Sequence, residues 1–323
     1  MATHTKESRA LKLCEKLVSS FLEFFIYDDT SGCRRIVARN PHELIVLELP
    51  VNDDHNMLRG VWGVGSSPGI VGHMTNVIRG TAAKYDPVFR YEALPERIAD
   101  PLDKMDQLRA GNVPYKEVKL SRSDFRLLAR RIRLEESYLE AGQEWLRHRV
   151  LLLDEGNGSI LFCSSNGLVF MAIRVAQNAG IVDAKMHSSV PTEVLAFLNR
   201  LISWSADVHI RYGESGLLMY SKYFYYYLLS ATDNTLMKDL KEYENLLSTE
   251  FDLVGTISVG DDSATNVQDS LTDIKEHIFA VLPKKLCGLL EPQDTFHVYL
   301  SGTAIKGVCT PKYGNEFLFI VTR

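Results

Sequence analysis

The run KEVKLSRSDFRLLARRIRL (Lys116–Leu134) continues into RHRVLLLDEGNGSILFCSSNGLVFMAIRV (Arg147–Val175) and VPTEVLAFLNRL (Val190–Leu201). It opens with a strand, then Ser121 as a helix N-cap and a helix with Phe125, Leu128 and Ile132 on its apolar face. Two strands follow, joined by the turn Gly156-Asn157-Gly158, and then a third. The theme repeats at once. A strand through Ala184 to His187 leads to a helix from Pro191 to Ser203, packing Val194, Phe197, Leu198 and Leu201. The strands DVHIRYG, LLMYSK and YFYYYLLS then form a meander over Asp207–Ser230. A short amphipathic helix followed by strands is therefore a repeating unit, and a repeat fixes architecture before any single motif does.

Working outward, the same unit recurs at both ends. Toward the N-terminus, a helix from Ser8 to Ser20 carries Leu11, Cys14, Leu17 and Val18 on one side, ahead of strands in FLEFFIYDD, CRRIVARN and ELIVLELP. Asp28 to Gly32 makes their first turn. A short helix over Val71–Ile78 and a strand near Val88–Leu94 form a fainter second unit. Between Pro95 and Pro114 the sequence turns polar, with Pro101, Gly111 and Asn112 as breakers, and a domain boundary is expected there. Toward the C-terminus come a helix in MKDLKEYENLL, a strand around Leu253–Val259 and an exposed loop in GDDSATNVQDS. Strand HIFAVL, a helix from Pro283 to Leu290, and strands TFHVYLS, AIKGVCT and EFLFIVTR close the chain. The expected fold class is α+β, in three domains over 1–112, 113–233 and 234–323.

Composition bounds the function. At 323 residues the chain suits two or three domains. With 46% hydrophobic and 24% charged residues it reads as globular, neither disordered nor fibrous. Apolar stretches are interrupted within about ten residues, short of the roughly 18 that span a bilayer, and charges interrupt the N-terminal run where a secretory leader needs apolar residues. An intracellular, cytoplasmic location is the expectation. The five cysteines form no CxxC or Cys/His set at metal-ligand spacing, so no metal and no cofactor are expected.

Arg122, Arg126, Arg130 and Arg133 step by four, four and three residues, which stacks them along one side of the third unit's helix. No carboxylate lies between Asp124 and Glu135 to neutralise the row. Weaker versions recur as Arg9, Lys12 and Lys16, as Arg200, as Lys238 and Lys241, and as Lys284 with Lys285. One such row is ordinarily a solvated helix face. Repeated on most helices of a chain with net charge −5, it points to a localised surface that tracks phosphates. No base-reading pattern accompanies it, so sequence-independent binding is expected.

Enzymatic constellations are missing from the sequence. GVWGVGSSPG (Gly60–Gly69) lacks the Lys-Ser/Thr ending of a phosphate-binding loop and reads as a flexible loop. There is no GxSxG, no HExxH and no kinase set, and the paired aspartates at 28–29, 53–54 and 261–262 fall in turn-rich stretches. The protein is not expected to be an enzyme.

The order and spacing of these units resemble the bacterial-type DNA polymerase sliding clamps. The likeness is strongest over Tyr115–Ser230, which is similar to the family's middle domain, and it returns in FAVLPKKLCGLLE and AIKGVCTPKYGNEFLFIVTR at the end. The resemblance implies a ring whose helices line the hole and whose antiparallel sheets form the outside. Two copies would close it around double-stranded DNA, and Lys12, Lys16, Arg122, Arg126, Arg130, Arg133, Arg200, Lys284 and Lys285 would face the duplex. It also implies a pocket that takes a short hydrophobic peptide from a DNA polymerase or a clamp loader. Ser165, Gly167 and Phe170 match the turn and strand lining it, and Ile320, Val321, Thr322 and Arg323 match the tail. Asn166, Leu168 and Val169 depart from the family's turn, no counterpart of its Phe-Pro-Asp-Tyr stretch is found, and the third domain is short. The rival expectation is a clamp-fold interaction scaffold that no longer encircles DNA.

Overall fold

The computed structural model describes residues 21–51, 58–65, 69–81, 84, 88–122, 125, 149–154, 159–165, 169–176, 186–191, 194–195, 198, 207–230, 245, 248–258, 293–301, 304–310 and 316–321. The expected helices over 8–20, 237–247 and 283–290, the loop over 260–270 and the strand over 277–282 lie wholly or almost wholly outside these residues.

The first compact unit comprises Met1–Lys119, Gly180–Ala184 and Glu193–Ala231. Its strands are β1 (Glu23–Asp28), β2 (Cys33–Arg39), β3 (Glu43–Pro50), β4 (Val61–Gly65), β5 (Val88–Tyr91), β6 (Lys116–Ser121), β11 (Asp207–Gly213), β12 (Gly216–Ser221) and β13 (Phe224–Leu228). They form a nine-stranded sheet in the order β5-β4-β1-β2-β3-β13-β12-β11-β6. The hairpins follow the expected turns. Asp29 accepts the backbone N–H groups of Ser31 and Cys33, and Gly32 sits at φ 77° between β1 and β2. The pairing of β3 with β13, Tyr225 opposite Val46, joins strands far apart in the chain.

Every residue from Phe24 to Tyr27, from Leu44 to Leu47 and from Phe224 to Leu228 is buried. Side chains alternate across a strand, so burial of both parities means that both faces of this sheet are covered. One cover is α2 (Glu96–Ala110), which lays Ile98, Leu102, Met105 and Leu108 on Phe25, Val37, Leu44, Val46, Leu218, Tyr225 and Tyr227. The other described helix, α1 (Ile70–Arg79), matches the expected one and packs against β4.

Two expectations need correction here. The polar stretch after Pro95 is the helix α2. Its supposed breakers at Gly111 and Asn112 are the C-terminal cap: Gly111 adopts φ 77°, and its N–H and that of Asn112 bond the Leu108 and Gln107 carbonyls. Pro101 removes one backbone bond from the second turn, and the apolar stripe outweighs that loss. The glycine-rich run after Gly60 is not a loop at its start, because Val61–Gly65 is strand β4, paired with β1 and β5. A Cβ at Gly63 would sit 2.6 Å from the Tyr91 ring and 3.4 Å from that of Phe25, so the glycine admits two aromatic rings over the strand.

The second unit comprises Leu120–Ala179, Lys185–Thr192 and Thr232–Arg323. Its strands are β7 (Arg149–Asp154), β8 (Ser159–Ser165), β9 (Val169–Ala176), β10 (His187–Pro191), β14 (Asp252–Ser258), β15 (Thr295–Ser301), β16 (Ala304–Thr310) and β17 (Glu316–Val321). The sheet order is β10-β7-β8-β9-β17-β16-β15-β14, antiparallel throughout. β10 lies a few residues later than the expected Ala184–His187 strand. Ser188 and Ser189 are buried in it as it pairs with β7. Of the apolar face expected for the helix beyond, Val194 and Leu198 are buried, Leu195 is buried too though the sequence reading did not name it, and Phe197 and Leu201 lie outside the described residues.

Candidate nucleic-acid interface and partner pocket

Of the cations expected to meet DNA, the structure describes Arg122 alone. It begins the helix after β6, is exposed and has no carboxylate in ion-pair range among the described residues, while Phe125 three positions on is fully buried. At these two positions the apolar side chain is sunk and the arginine solvated, as an amphipathic helix requires. Lys12, Lys16, Arg126, Arg130, Arg133, Arg200, Lys284 and Lys285 lie outside the described residues.

Many of the other described arginines are bound in the protein. Arg35 on β2 meets Glu48 at 2.7 Å, Asp106 of α2 at 2.8 Å and Asp29 at 3.4 Å. Burial alone would lower its pKa, but the hydrogen bond and charge of Asp106, with Glu48 behind them, push it above the ordinary 12.5. Arg109 of α2 donates to Glu48 at 3.1 Å and to the Tyr225 hydroxyl at 2.9 Å. Arg211 donates to Glu117 at 2.8 Å and stacks on Tyr115, 4.4 Å from the ring centroid. These contacts pin α2 and β6 to the sheet. Their charges face partners within the unit, so they offer nothing to a distant phosphate. Among the described residues no group of three His, Cys, Asp or Glu side chains is placed to hold a metal ion.

The described residues among those expected to line a peptide pocket come from three neighbouring strands of the second sheet. The register sets Ser165 of β8 opposite Phe170 of β9, and Phe170 opposite Ile320 of β17, with Val321 opposite Val169. Ile320 is fully buried in a cluster with Leu153, Leu161, Cys163, Ala172 and Leu318. Gly167, Thr322 and Arg323 lie outside the described residues. Two side chains that the sequence reading did not single out adjoin this cluster: Phe251 packs against it, and Lys306 of β16 stands opposite Ile320.

No protein-family model matches the sequence, and no curated protein does. Solved structures do match. The beta subunit of DNA polymerase from Streptococcus pyogenes aligns over 99% of this chain and 98% of its own, with a TM-score of 0.56 at 12% identity. The DNA polymerase III subunit beta of Pseudomonas aeruginosa aligns over the same shares with a TM-score of 0.60 at 10% identity. A putative beta subunit from Eubacterium rectale gives 0.58 at 10% identity, over 99% of this chain and 97% of its own. The chain has the sliding-clamp fold. Within this clamp fold the repeated helix-strand units of the sequence are distributed over two long antiparallel sheets, and each sheet draws strands from separated parts of the chain. Phe251 could have been found from the sequence, as an aromatic directly ahead of a strand. The placing of Lys306 depends on the β16–β17 register, which no local pattern announces.

Proposed function

We propose that the protein is a sliding clamp, a non-enzymatic ring of two copies that encircles double-stranded DNA without regard to sequence and tethers a DNA polymerase to it. The observation that carries this reading is the seam structure. β3 pairs with β13 and β9 pairs with β17, so each sheet runs unbroken across the divisions near residues 112 and 233. Three clamp domains over 1–112, 113–233 and 234–323 would then share sheets with their neighbours. Likeness to DNA polymerase beta subunits over nearly the whole chain supports the same conclusion.

In this reading the helices carrying Lys12, Lys16, Arg122, Arg126, Arg130, Arg133, Arg200, Lys284 and Lys285 line the hole, and the sheets form the rim. Contacts to phosphates alone let a ring slide, because they change little from one base pair to the next. Ser165, Gly167, Phe170 and the tail Ile320–Arg323 take a short hydrophobic peptide from the polymerase or the clamp loader. The work is done in the cytoplasm; no described helix is long and apolar enough to cross a membrane.

The test is the mass of the full chain in solution together with particle images. Two copies around an opening wide enough for duplex DNA are expected. A monomer with no opening overturns the ring and leaves the clamp-fold scaffold in its place.

A further inference from the structure

The connection from β5 to β6 runs from one end of the first sheet to the other. Only α2 separates these strands in the element order, yet they end the nine-stranded order β5-β4-β1-β2-β3-β13-β12-β11-β6 on opposite sides. At about 4.8 Å per strand the two ends stand roughly 38 Å apart. The chain bridges that span with the 15 residues of α2, about 22 Å of helix at 1.5 Å per residue, and with the short segments on either side of it. Its route passes over the pairing of β3 with β13, where the N-terminal strands meet strands from beyond residue 207.

The helix is fastened on both sides of that pairing. Toward β5, Arg97 meets Glu23 of β1 at 2.9 Å and Asp106 meets Arg35 of β2 at 2.8 Å. At the pairing itself, Arg109 donates to Glu48 of β3 at 3.1 Å and to the Tyr225 hydroxyl of β13 at 2.9 Å. Toward β6, Arg211 of β11 donates to the Leu108 carbonyl at 3.2 Å and to the carbonyl of Arg109, with the Tyr115 and Tyr220 rings against its guanidinium. A cation on these last-turn carbonyls satisfies acceptors that a helix leaves open and complements the negative end of its dipole. The apolar side chains of α2 share one buried cluster with Val37, Leu44 and Val46 from one side and with Leu218 and Tyr227 from the other. Strands β3 and β13 therefore cannot part without breaking these ties or stretching the connection. We propose that α2 is a strap that locks the β3–β13 seam, with Arg109 and Arg211 as its fasteners. The purpose of the lock rests on the clamp reading above: a closed ring must part somewhere to admit a duplex, and a strapped seam keeps that parting out of the first sheet.

Amide-resolved hydrogen exchange on the full chain tests the lock, with the parent compared to Arg109→Met combined with Arg211→Met. The Glu48 and Leu229 amides report the seam, since they bond the Tyr223 and His42 carbonyls across it. In the double variant these two amides and those of α2 are expected to exchange about tenfold faster, as one opening unit, while the β1–β2 and β11–β12 amides keep the parent rates. Faster exchange in α2 alone overturns the strap, because the seam then holds without it. Equal acceleration in every strand also overturns it, since the two arginines would then support the unit as a whole, and so do unchanged rates. Should the double variant fail to fold, Asp106→Asn loosens the ties to Arg35 and Arg109 together, and the same amides are expected to exchange about threefold faster. Unchanged seam amides in that variant overturn the strap. The mass of the parent chain, measured separately, decides the ring: a monomer whose seam amides still respond in this way overturns the purpose of the lock and leaves the lock itself standing.

Discussion

The Tyr225 hydroxyl donates to Glu48 Oε2 at 2.7 Å, a bond from β13 to β3 across the seam that makes one sheet of two distant parts of the chain. Arg109 of α2 donates to both groups, so helix and both strands meet at one point. Tyr225 is almost fully buried, and burial with the Glu48 carboxylate beside it pushes its pKa well above the ordinary 10.0. Tyr225→Phe keeps the ring but strands a carboxylate lone pair and a guanidinium N–H. A loss of about 1–2 kcal/mol is expected, read from the midpoint of urea unfolding with unchanged slope.

Met105 and Leu102 test whether α2 belongs to the core of the first unit. Met105 is fully buried and faces the sheet. Met105→Ala should lower stability by about 2–4 kcal/mol, the range for emptying a packed site, whereas a residue in a linker would cost almost nothing. Thermal unfolding of the full chain distinguishes these outcomes.

Acid should loosen β6 first. Burial alone would raise the Glu117 pKa, but the hydrogen bonds and charges of Arg211 and His209 outweigh it and hold the carboxylate below its ordinary 4.5. A depressed folded pKa contributes stability that is complete above the ordinary value and disappears as pH falls through the lowered one. Glu117→Gln should therefore be less stable than the parent at pH 7 by about 1 kcal/mol and no less stable at pH 2 to 3, as urea midpoints at the two values would report.

The sequence disclosed the parts of this fold that are locally encoded. β1 to β3, β11 to β13 and β15 to β17 were legible because aromatic and branched residues alternate between turns rich in Gly and Asp. α2 and β4 were not, since Pro101, Gly111 and the glycines after Gly60 read as punctuation when taken alone. Gly63 makes sense only beside Tyr91, and Gly111 only as the cap of a helix whose apolar stripe packs on strands from both ends of the unit. The pairings β3 with β13 and β9 with β17 are likewise set by burial and register across long separations, which no local window contains. For the candidate site, the sequence named the strands that bring Ser165, Phe170 and Ile320 side by side but missed Phe251 and Lys306 next to them.

Ring closure needs sheet edges to meet, and β5 ends the nine-stranded sheet among the described strands. Its Phe89 is 60% exposed on the end strand of the described sheet, the kind of edge that proteins staying monomeric usually blunt with charge. If that edge pairs with a second copy, Phe89→Asp should shift the mass in solution from two copies to one without lowering the unfolding midpoint of the isolated subunit. An unchanged mass would assign closure to another edge.

The arginine row carries the last prediction. Arg122 is exposed at the start of its helix and Phe125 is fully buried, so charge and packing fall on different residues at this end. Arg126→Glu with Arg130→Glu changes the local charge by four units and would take away two of the proposed phosphate contacts, so the salt dependence of binding should flatten by about two counterions per helix. Polymerase stimulation on long templates is expected to collapse while the oligomer mass stays that of the parent. Because the reversal leaves Phe125 and its neighbours in place, a simultaneous loss of mass would indicate misfolding, and Arg126→Gln with Arg130→Gln would then supply the milder test. Full processivity in either well-assembled variant would mean that DNA does not run past this helix.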